Sequence, residues 1–265
     1  RHSDILVLTA DGKVSVLEVL DFDLVRTETI ELPGLSEPSE FEVADIDGNG
    51  LLDFVLAGRE GVAFFEQRIS ISATGGTTRV FVPNLLTIPR NVTELEIGDL
   101  DRDGRLDLIT RGSDGYRVFA NNSDFEFVPI GTLTVDPTIV RTDFQLVDFE
   151  GDRDLDVVIG TTTGLLVFKN SGNGLAQGGA WVGEVVPLAG GGPDAICVRN
   201  ANSDPAQLVD LVAHFGGAAP RLDYYQRNNT DSLSAFAAVE SLAVTGALAD
   251  PAVTLVDTND DSGLD

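Results

Sequence analysis

The residues with the clearest chemical potential are acids that alternate along segment 99–107. They stand at positions 1, 3, 5 and 9 of that segment: Asp99, Asp101, Asp103 and Asp107. Calcium takes about six to eight oxygen ligands, and carboxylates spaced two residues apart can turn towards one ion. Gly104 at position 6 permits a sharp bend, because glycine adopts positive φ without steric cost. The pattern predicts a calcium loop in which the carbonyl of Arg105, at position 7, is a further ligand.

The segments around this loop are typical of strands. An EF-hand needs a glutamate at the twelfth loop position, where this chain has Thr110. Residues 95–98 and 108–110 alternate or run apolar in the way of short strands. A strand rises about 3.3 Å per residue against about 1.5 Å in a helix, so it can return the last ligand at position 9. We therefore predict a metal-binding β-hairpin loop, although turns rich in aspartate and glycine also form without metal.

The same pattern recurs along the chain. Residues 45–53 match it fully, residues 148–156 carry Arg153 in place of the glycine, which strains the turn, and residues 257–265 carry Ser262 there. A further copy begins at Asn200 but lacks the spacing, since Asp210 arrives two residues late. The predicted ligands in the three better copies, including the carbonyls at position 7, are Asp45, Asp47, Asn49, Leu51 and Asp53; Asp148, Glu150, Asp152, Asp154 and Asp156; and Asp257, Asn259, Asp261, Gly263 and Asp265.

The elements that position these loops repeat with them. Apolar residues precede each loop, an apolar run follows its ninth position, and a glycine-containing turn leads to another apolar strand. A looser fourth strand fits each linker, although the apolar spacing of residues 236–244 would also suit a short helix. Four short strands in each repeat of about 50 residues are typical of a β-propeller blade.

Composition limits the classes of partner. Of the 265 residues, 43 are acidic and 17 are Lys or Arg, which gives a net charge of −26. Such a surface repels nucleic acid and anionic lipid. No apolar run approaches the roughly 20 residues that span a bilayer, so no membrane insertion is expected. The chain begins at Arg1 and contains no methionine, and we expect a processed piece of a larger surface protein.

The acidic loops and their apolar flanks resemble the FG-GAP/VCBS repeats of integrin α-subunit propellers and bacterial surface proteins, over essentially the whole chain. The resemblance implies a calcium-bearing hairpin between the first and second strands of each blade, and extracellular binding or adhesion. We predict one all-β propeller domain over residues 1–265 with five four-stranded antiparallel blades, in which residues 253–256 complete the blade begun by residues 5–8. The alternative is part of a seven-bladed propeller, the family's usual size.

Two functions are compatible with this reading. The first is a non-enzymatic, extracellular module for a protein or glycan ligand, with two calcium ions expected and up to four. The second is a propeller-fold polysaccharide lyase or glycosidase with a site over the central channel. No catalytic motif is present, and Cys197 and His214 are interpreted as structural, the latter at a loop edge. We therefore predict no catalytic residue and favour binding.

Overall fold

A computed structural model of the protein describes residues 4–9, 13–20, 23–31, 35–86, 91–123, 125–136, 141–170, 181, 183–188, 191–199, 209–227 and 236–244. The predictions for residues 200–208 and 251–265, which include the last candidate loop, lie outside these ranges. Within them every regular element is a β-strand, which confirms the all-β prediction. None of the described segments is a helix that could span a membrane.

Nineteen described strands form five sheets, in which strands consecutive along the chain are neighbours. The first sheet contains β1 (Asp4–Leu8), β2 (Lys13–Leu20) and β3 (Asp23–Glu31). The second contains β4 (Glu40–Ala44), β5 (Asp53–Gly58), β6 (Gly61–Ile71) and β7 (Thr77–Leu86). The third contains β8 (Val92–Gly98), β9 (Asp107–Gly112), β10 (Gly115–Asn121) and β11 (Phe127–Leu133).

The last two sheets repeat this order. The fourth contains β12 (Arg141–Val147), β13 (Asp156–Thr161), β14 (Gly164–Phe168) and β15 (Gly183–Pro187). The fifth contains β16 (Ala195–Arg199), β17 (Asp210–Phe215), β18 (Arg221–Arg227) and β19 (Phe236–Ala243). β19 resolves the ambiguity of residues 236–244, because it pairs antiparallel with β18 from Arg227↔Phe236 to Arg221↔Ala243.

Five successive antiparallel sheets are the arrangement of a propeller with five four-stranded blades, as the sequence predicts. The first sheet has three described strands. The strand predicted to complete it lies outside the described residues, so the shared first blade remains a prediction. The chain groups into two compact units, Arg1–Ile97 with Gly104–Gly131 and Gly98–Asp103 with Thr132–Asp265.

The core of each unit lies between neighbouring sheets. The second strands β5 and β13 are buried along their whole length, because each is flanked by two strands and packed on both faces. In the first unit the rings of Phe64 and Phe127 stack with centroids 4.5 Å apart. Each candidate loop ends at the start of a second strand.

Candidate metal loops

Three candidate loops join the first and second strands of consecutive sheets. The first loop (45–53) connects β4 to β5, the second loop (99–107) connects β8 to β9, and the third loop (148–156) connects β12 to β13. The residue at position 2 of each loop is buried in the core: Ile46, Leu100 and Phe149. An apolar side chain at this position anchors an otherwise polar turn to the sheets.

The backbone of all three loops turns at two positions. Residues at positions 4 and 6 have positive φ: Gly48 (72°) and Gly50 (83°), Arg102 (60°) and Gly104 (85°), Gly151 (79°) and Arg153 (74°). The strain expected at Arg153 is therefore present, since a non-glycine residue in this region costs energy. The turn at position 4 was missed by sequence analysis, because the second loop has an arginine there.

The aspartate at position 9 is buried and accepts hydrogen bonds from backbone amides, an arrangement that we call the clip. Asp53 is fully buried, and its Oδ2 accepts a hydrogen bond from the Ile46 amide (2.9 Å) while its Oδ1 accepts one from the Gln67 amide (2.8 Å). Asp156 does the same with the amides of Phe149 and Asn170, both at 2.8 Å. The carboxylate thus ties the start of the loop to the third strand of the sheet or to the residues that follow that strand.

The clip recurs in the third and fifth sheets. The Asn121 amide donates to Asp107 Oδ1 at 2.9 Å. On β17, Asp210 is fully buried and accepts hydrogen bonds from the Arg227 amide (3.3 Å) and the Tyr224 hydroxyl (3.0 Å). Position 9 therefore keeps its buried acid even where the preceding sequence lacks the ligand spacing.

Burial also raises the pKa of two of these acids, Asp53 and Asp156. Desolvation raises the pKa of Asp53 against the hydrogen bonds from Gln67 and Ile46, which lower it. Desolvation likewise raises the pKa of Asp156 to about 7, although two backbone hydrogen bonds oppose it. A nearby cation would favour the charged form of either carboxylate.

In the first two loops three carboxylates converge. One oxygen from each of Asp45, Asp47 and Asp53 lies within 4.8 Å of the others. The acids Asp99, Asp101 and Asp107 form the same arrangement in the second loop. Asp103 is outside that group, and its amide donates to Asp99 Oδ1 at 3.0 Å.

The donor set of the first loop suits a hard cation. All the converging atoms are oxygens, which is the ligand type that calcium prefers. Asp45 Oδ1 is buried and has no hydrogen-bond partner, so it is available to a cation. Loop amides hold neighbouring oxygens in place, with Gly50 N donating to Asp45 Oδ2 (2.9 Å) and Leu51 N to Asn49 Oδ1 (2.7 Å). The position-7 carbonyls of Leu51 and Arg105 stay predicted ligands.

The third loop is arranged differently. Within the described part of the chain, its acids form no group of three that meets the same distance. Glu150 Oε2 lies 2.9 Å from Lys169 Nζ, and Asp154 Oδ1 lies 2.5 Å from Arg102 Nε. Like Asp45 Oδ1, these two oxygens are buried and accept no hydrogen bond, but each has a protein cation beside it. Burial and then repulsion by Asp152 raise the pKa of Asp154, and the attraction of Arg102 lowers it. Sequence analysis had grouped this loop with the other two and gave no sign of these cations.

Two other residues from the sequence analysis lie in strands of the fifth sheet. Cys197 is buried on β16, in keeping with a structural role. His214 is buried on β17, one residue before the strand ends, with Nδ1 3.8 Å from Asp194 Oδ2. The loop-edge interpretation of His214 underestimated its burial.

Comparison with known proteins agrees with this architecture. An FG-GAP-like repeat matches residues 45–110 and again residues 99–159, so the chain contains FG-GAP-like repeats across its first three loops. No curated protein has a matching sequence.

Solved structures are similar in fold. One is an Agrocybe aegerita lectin whose description is specific recognition of non-reducing terminal N-acetylglucosamine, with 17% identity, a TM-score of 0.52, and coverage of 92% of this chain and 65% of the lectin. Another is the WD40 domain of SCAP from fission yeast, with 11% identity, a TM-score of 0.50, and coverage of 85% and 52%. The chain spans less than two thirds of either protein, and at these identities the likeness concerns the fold.

Proposed function

We propose that this chain, which carries FG-GAP-like repeats, is a calcium-stabilised binding module that works outside the cell and presents a propeller surface to a protein or glycan. The observation that carries the proposal is the convergence of three carboxylates in each of two equivalent loops. In this proposal Asp45, Asp47 and Asp53 hold one ion, and Asp99, Asp101 and Asp107 hold the other. Neither site includes a group that suggests catalysis.

The role of the ion is to stabilise the loops. Carboxylates held within 4.8 Å of one another repel, and a divalent cation between them replaces that repulsion with attraction. A ligand that binds only the folded state stabilises it by about 2.7 kcal/mol at a hundredfold excess over its dissociation constant. Calcium is plentiful outside cells, where such loops stay filled, and this supports the proposed extracellular location.

The charge of the chain bears on its ligand. A net charge of −26 disfavours polyanionic partners and is compatible with uncharged sugars or basic protein surfaces. The lectin of similar fold recognises a terminal N-acetylglucosamine, an uncharged sugar, and makes neutral glycans the first class to test. The alternative, a polysaccharide lyase or glycosidase, has no specific observation in its favour.

Calcium binding is tested by isothermal titration calorimetry on the whole chain. We expect Asp101→Ala to bind one calcium ion fewer than the original sequence, because it removes a converging ligand of the second loop. Asp114→Ala is the matched control, since it removes an acid from the exposed turn between β9 and β10, outside the loops. An equal count in both variants contradicts the site assignment.

The binding role needs a separate measurement. A glycan array that includes terminal N-acetylglucosamine, read with calcium and with chelator, should show calcium-dependent binding to uncharged glycans. A panel of basic peptides covers the protein alternative. Failure to bind either class, with calcium bound and the fold intact, would contradict the proposed function.

A further inference from the structure

We propose that the third loop (148–156) holds no calcium, because cationic side chains of the chain itself already pair with its acids at positions 3 and 7. We further propose that this pairing depends on the second loop, which supplies Arg102. The proposal goes beyond the calcium function, since it concerns a loop that the repeat pattern alone would count as a third metal site. It rests on contacts within one compact unit, Gly98–Asp103 with Thr132–Asp265.

Arg102 provides the main contacts. Its Nε lies 3.1 Å from the carbonyl oxygen of Arg153 and 2.5 Å from Asp154 Oδ1, and its Nη2 lies 2.6 Å from the carbonyl oxygen of Asp152. Three oxygens from consecutive residues of the third loop thus face one guanidinium. Its planar fork of donors suits such multiple contacts, and its charge does not depend on pH.

Two more cations of the chain lie against the third loop. Lys169 Nζ is 2.9 Å from Glu150, the acid at position 3. Arg227 donates a hydrogen bond to the carbonyl oxygen of Phe149 and places its guanidinium 4.6 Å from the Phe149 ring centroid. Its charge is attracted by Glu150 and Asp156. The acids at positions 3 and 7 of this loop therefore each have a protein cation in close contact.

The sequence signal for this arrangement is an extra acid. Position 7 is Leu51 in the first loop and Arg105 in the second, but it is Asp154 in the third. The Asp154 side chain is only 7% exposed, and a carboxylate so buried needs a partner of opposite charge. Arg102, at position 4 of the second loop, is that partner. The sequence of the third loop alone therefore cannot reveal the pair, because one of its members belongs to the preceding repeat.

Further contacts tie the second loop to the third. The Asn170 Nδ2 atom donates to the carbonyl oxygens of Leu100 (2.6 Å) and Leu155 (3.2 Å), one in each loop. Arg102 itself lies between Asp101 and the acid at position 103. The position of the Arg102 guanidinium against the third loop therefore depends on the backbone conformation of the second loop.

Counting calcium by calorimetry tests the first half of the proposal. Asp152→Ala should bind as many calcium ions as the original chain, whereas Asp101→Ala should bind one fewer. Loss of one ion in Asp152→Ala would overturn the proposal, because the third loop would then be a calcium site. The double variant Arg102→Gln with Lys169→Met removes two of the cations, and it should bind one calcium ion more than the original chain. An unchanged count, in a variant that still unfolds cooperatively, would show that these cations are not what excludes calcium.

Thermal unfolding in chelator tests the second half without any metal. Arg102→Gln should lower the melting temperature by about 3–6 °C, because it leaves Asp154 buried without its partner. Arg102→Lys keeps the charge and should recover part of the loss. Arg59→Gln is the control, since the Arg59 side chain forms an exposed ion pair with Glu37, at 3.3 Å. An unchanged melting temperature for Arg102→Gln overturns the proposal.

These measurements separate the proposal from the calcium function. If the original chain binds no calcium at all, the proposed function fails. The chelator comparison of Arg102→Gln with Arg59→Gln still decides whether Arg102 closes the third loop.

Discussion

The first and third loops follow the same backbone course but carry their charges differently. Both turn through positive φ at positions 4 and 6, and both end on a fully buried aspartate that accepts two backbone amides. In the first loop three carboxylates converge, whereas in the third Glu150 and Asp154 are turned towards lysine and arginine side chains. The backbone course of the loop is thus the same whether or not its acids contact a protein cation. In our proposal, the side chains at positions 3 and 7 decide whether a loop takes a metal ion or a cation of the chain.

The largest expected effect on stability concerns the buried aspartate at position 9, which the two loops share. Asp53→Ala and Asp156→Ala each leave two backbone amides without an acceptor, which should cost about 2–6 kcal/mol of unfolding free energy. Urea unfolding in chelator measures it, with Asp47→Ala as control because Asp47 is only partly buried and bonds within its own loop. If Asp156→Ala were as stable as the control, the buried aspartate would not stabilise the third loop as we expect.

The next effect on stability concerns calcium, which we propose is bound by the first and second loops and not by the third. Removing calcium with chelator should lower the melting temperature, since each filled site contributes about 2.7 kcal/mol at a hundredfold excess of ligand. Magnesium should restore little of this, because it requires a tighter octahedral shell. Calorimetric scans of the original chain and of Asp101→Ala check it. Asp101→Ala should lose part of the calcium-dependent shift and keep its stability in chelator, and identical scans would remove the distinction between the loops.

The smallest effect concerns position 6. Gly104→Ala should destabilise the protein by about 1 kcal/mol, because alanine at a φ of 85° is strained although a Cβ there would meet no atom within 4 Å. Arg153→Gly should have the opposite sign and a similar or smaller size, since it relieves a φ of 74° but frees the unfolded chain. Equilibrium unfolding of both variants decides it. Shifts of the same sign would show that the two turns are not equivalent.

Much of the fold was predictable because each strand carries its own apolar pattern. The hairpin position of the loops and the convergence of the acids in the first two follow from alternation and spacing, which are local in sequence. The ambiguity over β19 had a physical cause, since the apolar spacing of residues 236–244 suits either element and only pairing with β18 decides it.

The rest depended on contacts that local patterns do not encode. Arg102 and Asp154 are about 50 residues apart, and their pairing depends on how one loop packs against the next. The sequence could not predict that Asp53 also accepts two hydrogen bonds from the backbone. Its partners are the amides of Ile46 and Gln67, and nearly every residue has such an amide. The burial of His214 similarly reflects its neighbours in the fifth sheet rather than its own residue type.

The buried aspartate at the start of β17 has a consequence for reading related repeats. Asp210 accepts its two hydrogen bonds although the residues before it lack the spacing of a metal loop. An acid at this position therefore marks where a second strand begins and does not by itself indicate an ion, although Asp53 and Asp107 belong to the converging groups of the first two loops. To predict the number of bound ions from sequence, one should compare the acids at positions 1, 3 and 5 with the basic residues that the preceding repeat places near them. The acid at position 9 does not help to distinguish a loop that binds an ion from one that does not.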